Sequence, residues 1–515
     1  MEYLLGIDIG STNLKANLYD IEGNRITGAN RKTRIRYPDL KKPKWAVYDP
    51  DELWNEIAEA VREVVNKIGN PRMIKGVGIT GMGEPGIPID ERGNWIYPAI
   101  TWFDPRAEPQ VQWWRENFDP YKLFKITGQP LHRIYSINKI MWLKQNEPIV
   151  YKKVKKWLNL EDYIIFKLTG NFATDYSIAS RTMGFDIREC CWSKEIFQAA
   201  GIDTEIMAPV YPSGTVVGHV NKYAASITGL AENTPVVTGG HDHGCAALAA
   251  RVFEQGSVLD STGTVEAIIT VLDTPILSDE ICNAGLAVYP HPAKGKYQVL
   301  GAILFSGGTL EWYLEQFGYK EKIKSQVEAK NVYSLLLNKA ESVDIGSSGL
   351  IWFPHLRGTF VDPTSRGALI GITSSHRKEH ILRAIIEGLC FELRATIEDY
   401  EQLFNLKIDR IVAVGGATES DFWLQTKADI TGKTIETPDV FEAASLGAAI
   451  LAGIGTGIYR DHYEAADKIY RVKKEFKPHP ERSKKYESYY QNMYKMIYPI
   501  LKQLNTKINR EFSLR

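Results

Sequence analysis

Two stretches of this chain share one pattern: an apolar strand, a tight turn of glycine and small hydroxyl residues, and a second strand. The first is YLLGIDIGSTNLKANLYD at residues 3–20, and the second is GSVLDSTGTVEAIITVL at residues 256–272. Apolar residues on both sides of each turn predict a β-hairpin and not a strand that enters a helix. Two hairpins of one kind, so far apart in the chain, predict two similarly built domains.

The length of 515 residues supports two domains, because one ordinary hydrophobic core does not grow to this size. We expect residues 1–252 to form the first domain and residues 253–515 the second, with the boundary near residues 251–256. From about Tyr459 the chain is rich in Lys, Glu and Tyr at helical spacing, which predicts surface helices that close the second domain. The charges of that segment are expected to face solvent.

Predicted strands and helices alternate along the chain. Residues 50–67 carry apolar residues at helical spacing, with Asp49 placed as the N-cap and Pro50 at the first helical position. GVGIT at 76–80 is a short buried strand, and residues 235–250 run from a strand through a glycine turn into a helix of small residues. The buried strand IDRIVAVGG precedes a helix that contains Trp423 and Ala428. These elements predict α/β domains.

Composition favours small molecules as partners. Lysine and arginine number 62, and aspartate and glutamate also number 62, so no net field attracts nucleic acid or an anionic membrane. The opening MEYLLGIDIG has no basic leader, and no apolar run is long enough to span a bilayer. Five cysteines lack the spacing of a zinc site or a disulfide framework, which favours reduced thiols in the cytoplasm. We therefore expect no nucleic acid and no membrane as partners, and a homodimer is left open.

The first hairpin turn offers groups that suit phosphate. Gly10, Ser11 and Thr12 would direct backbone N–H groups and hydroxyls at phosphate oxygens, and Lys15 would point the same way one strand later. Asp8 ends the strand before the turn, where a carboxylate could hold Mg²⁺ through water. An ordinary strand turn remains the alternative for this segment alone. The pattern is neither a P-loop nor a G-x-G-x-x-G fingerprint, since the lysine and the helix are in the wrong places.

The second hairpin turn, STGT at residues 261–264, would likewise bind phosphate oxygens, from the other domain. Two small-hydroxyl turns that face one another across a cleft would form a phosphate clamp, with Gly263 and Thr264 on the second side. Gly415 and Gly416 would let a flat adenine approach the backbone, where a Cβ would collide. A plain strand-to-helix turn is the alternative for these two glycines.

Asp242 is the candidate general base. It lies in GGHDHGCAALAA, after an apolar strand and before a helix, where a carboxylate can face a cleft and accept the proton of an attacking hydroxyl. The alternative is a helix N-cap, since aspartate is common there. His241 and His243 flank Asp242, but no third ligand is evident and metal ligation by them is not expected.

The acceptor site is predicted from three segments. TGMGEPG places Glu84 beyond a strand end, where its oxygens could accept hydrogen bonds from neighbouring hydroxyls of a polyol. Trp102 could stack on the C–H face of a sugar while Asp104 and Arg106 bond its polar edge, although a local ion pair between the last two is the alternative. Tyr135 could close the far side or belong to the core.

In order along the chain, these pieces resemble the FGGY carbohydrate kinases, a family that includes glycerol, xylulose, ribulose and fuculose kinases. The resemblance covers nearly the whole chain. It is carried by GIDIGSTNLK, VGITGMGEPG, ITWFDPR, TDYSIASRTMGFDI, GGHDHGCAA, DSTGTVEA, LRGTFVDPTSRGALIGIT and GGATESDFWLQTKADITGKTIE with its tail EAASLGAA. Eight segments in the family's order are far more specific than any one of them.

The resemblance implies two ribonuclease H-like domains of the actin and hexokinase type around a deep cleft, with ATP and Mg²⁺ as cofactors. The first domain would bind the sugar and supply the base, and the second would bind the nucleotide. By the same resemblance Asp242 is the base and Asp8 the carboxylate beside the metal. The implied acceptor contacts are Met82, Gly83, Glu84, Trp102, Asp104, Arg106, Tyr135 and Asp242. The implied nucleotide contacts are Gly10, Ser11, Thr12, Lys15, Gly263, Thr264, Gly307, Gly308, Glu311, Gly416, Ala417 and Ser420.

The resemblance implies ATP-dependent phosphorylation of a small sugar or polyol by direct in-line transfer. Glycerol kinases carry an arginine before the glutamate that matches Glu84, and xylulose kinases carry a histidine in place of that glutamate. Gly83 should leave a roomier pocket, so a ketose, such as a pentulose or hexulose, or a longer polyol is expected over glycerol. The alternatives are a glycerol kinase, a catalytically silent sugar or nucleotide sensor, and an actin-like or chaperone ATPase without a small acceptor.

Overall fold

The computed structural model describes residues 2–511; Met1 and residues 512–515, which the predicted segments 1–252 and 253–515 include, lie outside the described residues. The first segment contains the strands β1 (Tyr3–Ile9), β2 (Asn13–Asp20), β3 (Arg25–Lys32), β4 (Val47–Tyr48), β5 (Ile74–Gly81), β6 (Gly86–Ile89), β7 (Ala99–Ile100), β8 (Lys156–Asn159), β9 (Thr174–Asp175), β10 (Phe185–Asp186), β11 (Cys191–Trp192), β12 (Val210–Tyr211), β13 (Val216–His219) and β14 (Pro235–His241). Its helices are α1 (Pro50–Ile68), α2 (Glu108–Asn117), α3 (Pro120–Thr127), α4 (Ser136–Asn146), α5 (Pro148–Tyr151), α6 (Leu160–Thr169), α7 (Tyr176–Ser180), α8 (Lys194–Ala200), α9 (Lys222–Thr228) and α10 (Asp242–Ala249).

The second segment contains the strands β15 (Ser257–Thr262), β16 (Glu266–Leu272), β17 (Ala287–Pro290), β18 (Tyr297–Ile303), β19 (Ile351–Phe353), β20 (Ala368–Ile370), β21 (Arg410–Gly415), β22 (Thr434–Pro438) and β23 (Val472–Phe476). Its helices are α11 (Asp279–Asn283), α12 (Gly307–Phe317), α13 (Tyr319–Glu328), α14 (Val332–Glu341), α15 (Lys378–Phe404), α16 (Asp421–Thr431), α17 (Ala443–Gly455), α18 (His462–Ile469), α19 (Pro480–Tyr489) and α20 (Lys495–Glu511), with a π-helical turn at Tyr490–Tyr494.

Each segment builds one large sheet, and the two sheets share a core topology. The strand order is β13-β14-β5-β1-β2-β3 in the first sheet and β17-β18-β16-β15-β21-β22-β23 in the second. β1 and β15 each pair antiparallel with the next strand in the chain, and parallel with β5 and β21. The predicted hairpins at residues 3–20 and 256–272 are confirmed, and so is the prediction of two similarly built α/β domains.

The predicted helix at residues 50–67 is α1, and its ends follow from its sequence. The Asp49 side chain accepts the backbone N–H groups of Asp51 and Glu52, Pro50 occupies the first turn, and Gly69 ends the helix in the left-handed conformation at φ 70°. The apolar face of α1 packs in the core of the first sheet. No helix within residues 2–511 is both long and apolar enough to cross a membrane.

One helix from each segment packs on the other segment's sheet. Ala246 and Ala247 of α10 belong to a buried cluster with β15, β16 and β21 of the second sheet. Leu446 and Ile450 of α17 belong to a buried cluster with β1, β2 and β14 of the first sheet. The domain boundary at residue 252 therefore stays a prediction. In the structure, α10 and α17 lie between the two sheets.

Glycines allow this packing to be unusually close. A Cβ at Gly6 of β1 would lie 1.9 Å from the carbonyl oxygen of Ser445, and a Cβ at Gly78 of β5 would lie 2.0 Å from that of Ala448. A Cβ at Gly447 would lie 2.0 Å from the carbonyl oxygen of Cys245, which is on α10. Since no Cβ tolerates such distances, the backbone of α17 rests directly on the first sheet and on α10.

The segment that follows Tyr459 differs from the predicted surface helices. It contains α18, α19 and α20, but also β23, which pairs antiparallel with β22 at the edge of the second sheet. Tyr486, Tyr490 and Tyr494 are buried in the core of the second domain. These contacts are hard to predict from a segment rich in charged residues. Single tyrosines four residues apart are enough to form a buried stripe on a helix that is otherwise polar.

We expect Gly78→Ala to lower the thermal unfolding midpoint strongly, because the added methyl group meets the Ala448 carbonyl and forces the backbone apart, at a cost of about 1–3 kcal/mol or more. Differential scanning calorimetry at a fixed scan rate measures the shift. Gly416→Ala is the matched control, since its Cβ would lie 3.7 Å from the nearest heavy atom. Equal midpoints for Gly78→Ala and Gly416→Ala would contradict the close approach of α17.

Candidate active site at the strand ends of the two sheets

The carboxyl ends of three strands in the first sheet lie level with one another. β5 runs between β1 and β14 and is parallel to both, so that Thr80 aligns with Asp8 on one side and with Gly240 on the other. Asp242 follows Gly240 by two residues and begins α10. Because parallel strands end at one edge of a sheet, the two aspartates share that edge, and the charge of Asp242 acts on Asp8.

Asp8 is buried, and within residues 2–511 its Oδ1 has no hydrogen-bond partner. Its Oδ2 lies 4.0 Å from the Nζ of Lys15, which donates to Glu442 Oε2 at 2.7 Å. Burial raises the pKa of Asp8 to about 7; Lys15 opposes this shift, while the negative charges of Asp242 and Glu442 add to it. An unpartnered buried carboxylate oxygen suits a hydrated Mg²⁺, which keeps several waters and takes one or two protein carboxylates. The residues therefore fit the predicted ion.

Thr33 holds the backbone of the first hairpin turn through hydrogen bonds, and the side chains of the turn are exposed. Thr33 donates its hydroxyl to the carbonyl oxygen of Gly10 at 2.6 Å and its N–H to that of Thr12 at 2.9 Å. Ser11 and Thr12 are exposed. The turn thus leaves two side-chain hydroxyls exposed between Asp8 and Lys15 in the sequence, as a phosphate-binding turn would require.

Asp242 is partly open, with 23% of its side chain exposed. Its Oδ1 accepts the N–H of His243 at 2.7 Å, and the helix N-cap is His241, so the alternative interpretation of Asp242 as the N-cap is wrong. Burial raises the pKa of Asp242; His243 and Arg181 oppose the shift, and the charge of Glu84 adds to it. A carboxylate that is accessible and more basic than usual can accept a proton from an alcohol.

His241 joins the two halves of the site. Its Nδ1 lies 3.0 Å from the hydroxyl of Tyr289, which belongs to β17 in the second segment, and its Nε2 lies 3.4 Å from Asp242 Oδ1. Burial, together with the charges of Arg181 and His243, lowers the pKa of His241 well below the usual imidazole value. The neutral imidazole of His241 therefore lies between Asp242 and Tyr289 and adds no charge to the site.

Glu84 is paired inside the protein. Its Oε1 accepts the Nε of Arg181 at 2.9 Å and also the Nη2 of the same side chain. Arg181 Nη1 donates to Gln129 Oε1 at 3.0 Å, and the guanidinium lies 5.1 Å and 5.5 Å from the ring centroids of Tyr135 and Tyr289. Arg181, Gln129 and Tyr289 are not among the predicted site residues. A signal for Arg181 exists in SIASRTMGF, because a single cation among small and apolar residues must find a buried partner.

The predicted extra room at Gly83 is absent. A Cβ at Gly83 would lie 2.5 Å from Arg181 Cγ and 3.4 Å from His241 Cδ2. The aliphatic stem of Arg181 fills the space that the glycine leaves, and Arg181 itself brings a cation beside Glu84. The expectation of a roomier pocket at this position is therefore wrong.

Asp104 and Arg106 bond to each other. Asp104 Oδ1 accepts the Nε of Arg106 at 3.0 Å, and Oδ2 accepts Nη2 at 2.7 Å and the backbone N–H of Ala46 at 2.6 Å. The two side chains are at most 1% exposed, and the guanidinium lies over Trp45. They form the local ion pair that was the alternative interpretation and present no exposed charge to an acceptor.

The other predicted acceptor residues lie in or beside the core. Met82 and Tyr135 are buried, and the ring centroid of Tyr135 lies 5.1 Å from the guanidinium of Arg181. Trp102 is partly buried, with its ring edge-on to Phe103 at 5.3 Å between centroids. Their contacts with an acceptor remain predictions.

The second hairpin turn meets the start of α12. Gly307 donates its N–H to the carbonyl oxygen of Gly263 at 3.0 Å, and Gly308 donates to that of Thr264 at 3.3 Å. A Cβ at Gly307 would lie 2.4 Å from the Gly263 oxygen, so this approach needs glycine. Gly263 and Thr264 are exposed. Four predicted nucleotide contacts are thus brought together.

The strand β21 ends level with this turn, since Gly415 aligns with Thr262. Gly415 has φ 83°, and its Cβ would lie 2.4 Å from the Thr262 carbonyl oxygen, so the backbone itself requires glycine there. Gly416 is exposed beside it. The remaining predicted nucleotide contacts are Ala417, which is buried, Ser420, whose hydroxyl accepts the N–H of Trp423 and caps α16, and Glu311, which is exposed on α12.

Known proteins match the chain along its length. A xylulose kinase from Bacillus subtilis is 30% identical over 99% of this chain and 99% of its own. A gluconokinase from the same organism is 28% identical over 88% of each chain. The crystal structure of a ligand-bound xylulose kinase from Lactobacillus acidophilus has a TM-score of 0.87, 24% identity and coverage of 97% of this chain and 98% of its own.

The family matches divide at the same point as the two sheets. The N-terminal domain of the FGGY carbohydrate kinases matches residues 3–249, which contain Asp8, Glu84 and Asp242. The C-terminal domain of that family matches residues 259–456, which contain the second hairpin turn and α17. Together the two matches span most of the chain, and the protein belongs to the FGGY family of carbohydrate kinases.

Proposed function

We propose that the protein transfers the γ-phosphoryl group of ATP to a hydroxyl of a neutral ketose or polyol, with Asp242 as the general base. The observation that carries this proposal is the position of Asp242: it begins α10 at the strand ends, partly exposed, beside Asp8 and the Glu84–Arg181 pair. Family membership and relatives called xylulose kinase, gluconokinase and glycerol kinase support phosphoryl transfer to a sugar or polyol.

In this proposal each group has one task. Asp242 accepts the proton of the attacking hydroxyl, and Glu84, held by Arg181, orients the acceptor through the oxygen lone pairs that the pair leaves unused. The turns at residues 10–12 and 262–264 hold phosphate oxygens from opposite sides. When bound, Mg²⁺ neutralises charge on the phosphates, and Asp8 is the residue that would hold it through water. Exclusion of water by closure of the two domains would protect ATP from hydrolysis.

Charge in the acceptor region favours an uncharged substrate. The Glu84 carboxylate neutralises the charge of Arg181 at hydrogen-bond distance. Lys139 donates to the Glu84 carbonyl oxygen at 3.0 Å, but burial lowers the pKa of this lysine to about 7. Asp242 adds a negative charge close by, and Lys15, next to Asp8, already pairs with Glu442. A sugar acid would bring a second carboxylate toward this excess of negative charge, so a neutral ketose or polyol fits better.

Two rival functions lack support from the site. A silent sensor has no need of an accessible carboxylate at Asp242, whose pKa is raised by burial. An ATPase without a small acceptor gives no reason for the buried Glu84–Arg181–Gln129 constellation at the same strand ends. The five free cysteines are consistent with a reducing compartment, and we propose a cytoplasmic location.

Asp242→Asn should lower kcat by roughly 10² to 10⁴, because an amide keeps the size of the side chain but cannot accept the proton. Binding of ADP and of the acceptor, measured by calorimetry, should stay close to wild type. A matched control is Asp273→Asn, which changes an exposed aspartate paired with Lys296. Turnover of Asp242→Asn near the wild-type rate would exclude this residue as the base.

We expect kcat/KM to fall as the pH is lowered through the raised pKa of Asp242, since only the ionised carboxylate accepts a proton. Burial raises this pKa above the ordinary value of 3.8, so the loss should occur at a higher pH than for an exposed aspartate. The measurement is made at saturating Mg²⁺, because a bound cation would favour the ionised form of Asp8, whose pKa burial raises to about 7. A profile that stays flat down to pH 4 would disagree with a buried carboxylate base.

In a panel of acceptors, kcat/KM should be higher for neutral ketoses and polyols than for gluconate. The reason for weak gluconate turnover is its charge, so glucitol, which has the same carbon chain without the carboxylate, serves as the matched neutral control. ATP consumption coupled to ADP detection measures each rate. Gluconate as the best acceptor would overturn the proposed substrate class.

A further inference from the structure

A lysine is buried beneath the second hairpin turn. Lys427 belongs to α16, and its side chain is 0% exposed. Its Nζ contacts Asp260 Oδ2 and donates to Glu266 Oε1 and Thr262 Oγ1, each at 3.0 Å. Asp260 and Thr262 lie at the end of β15, and Glu266 begins β16. One ammonium group therefore holds the two strands on either side of the turn.

The same network reaches the start of α12. Ser306 donates its hydroxyl to Glu266 Oε2, and the next residue, Gly307, donates its N–H to the carbonyl oxygen of Gly263 in the turn. Lys427 itself lies on the helix that follows Gly415 and Gly416. Three separate pieces of chain that carry the predicted nucleotide contacts are thus connected through Lys427.

A charged network at this position is costly as a source of stability. Burying an ammonium and two carboxylates requires desolvation of each group, and apolar side chains of similar size often stabilise a core as well or better. A fully bonded ionic network does restrict geometry, because each partner must keep its distance and direction. The network borders the exposed residues Gly263 and Thr264, where geometry matters for phosphate.

We propose that Lys427 is a positioning residue for the nucleotide phosphates: through Asp260, Glu266 and Ser306 it sets the turn at 262–264 and the N-terminus of α12 relative to each other. This inference rests on the proposed function, in which that turn binds ATP. Lys427 is itself buried and acts only through its partners.

Lys427→Met tests the inference in the full-length protein, since methionine keeps the length of the stem but removes the charge. KM for ATP and the calorimetric Kd for ADP should rise by roughly 10- to 100-fold, as expected when contacting groups shift by about 1 Å. KM for the acceptor at saturating ATP should change by less than about twofold. A purely structural role would lower the yield and the unfolding midpoint without this selective loss.

Arg383→Met is the matched control. Arg383 is also buried in the same domain, with 7% of its side chain exposed, and it donates to Glu387 Oε1 at 2.8 Å and to the Tyr486 hydroxyl at 2.7 Å, none of which belongs to the turn. This variant should lose stability and keep its affinity for ADP. If Lys427→Met and Arg383→Met weaken ADP binding equally, or if neither weakens it, the inference is overturned.

Ser306→Ala keeps the test decisive if Lys427→Met fails to fold. It leaves the ammonium, the two carboxylates and the backbone bonds between α12 and the turn in place and removes only the hydroxyl bond from Ser306 to Glu266, so ADP affinity should fall by a smaller factor, about 3- to 10-fold. Unchanged affinity would overturn the inference. Wild-type turnover of sugars separates the outcomes: a wild type that binds ADP but phosphorylates no sugar contradicts the proposed function and not the role of Lys427.

Discussion

The site depends on the close contact between α17 and the first sheet. Gly6 and Gly78 let the backbone of that helix rest on β1 and β5, which places the residue before it, Glu442, within 2.7 Å of Lys15. Lys15 in turn lies beside Asp8. A segment that arrives more than four hundred residues after Asp8 thus completes its electrostatic surroundings, and the packing that joins the two domains also sets the charge at their shared edge.

Burial of charge is the second constraint on this molecule. Glu84 and Arg181 neutralise each other in the proposed acceptor region, and Asp260, Glu266 and Lys427 form a network beneath the second hairpin turn. The carboxylate of Asp242, the Lys15 ammonium and the exposed hydroxyls of the two turns remain accessible. A neutral alcohol and a polyphosphate are the ligands that such a distribution favours.

The sequence predicts the hairpins, α1 and the strand-to-helix steps because each has a local pattern: alternation, an N-cap or a glycine turn. It also predicts which motifs supply Asp8, Asp242 and the turn at 262–264. It does not predict that Arg181 would occupy the space beside Gly83 or that β23 would extend the second sheet. Those outcomes depend on contacts between residues distant in the chain, which no local pattern encodes.

The most direct measurement is a crystal structure with an acceptor sugar and a non-hydrolysable ATP analogue bound together. A carboxylate oxygen of Asp242 should lie about 2.6–3.2 Å from the hydroxyl that faces the γ-phosphate. The analogue's phosphates should touch both hairpin turns. An Asp242 side chain directed away from the acceptor, or phosphates held by one domain alone, would contradict the proposed chemistry.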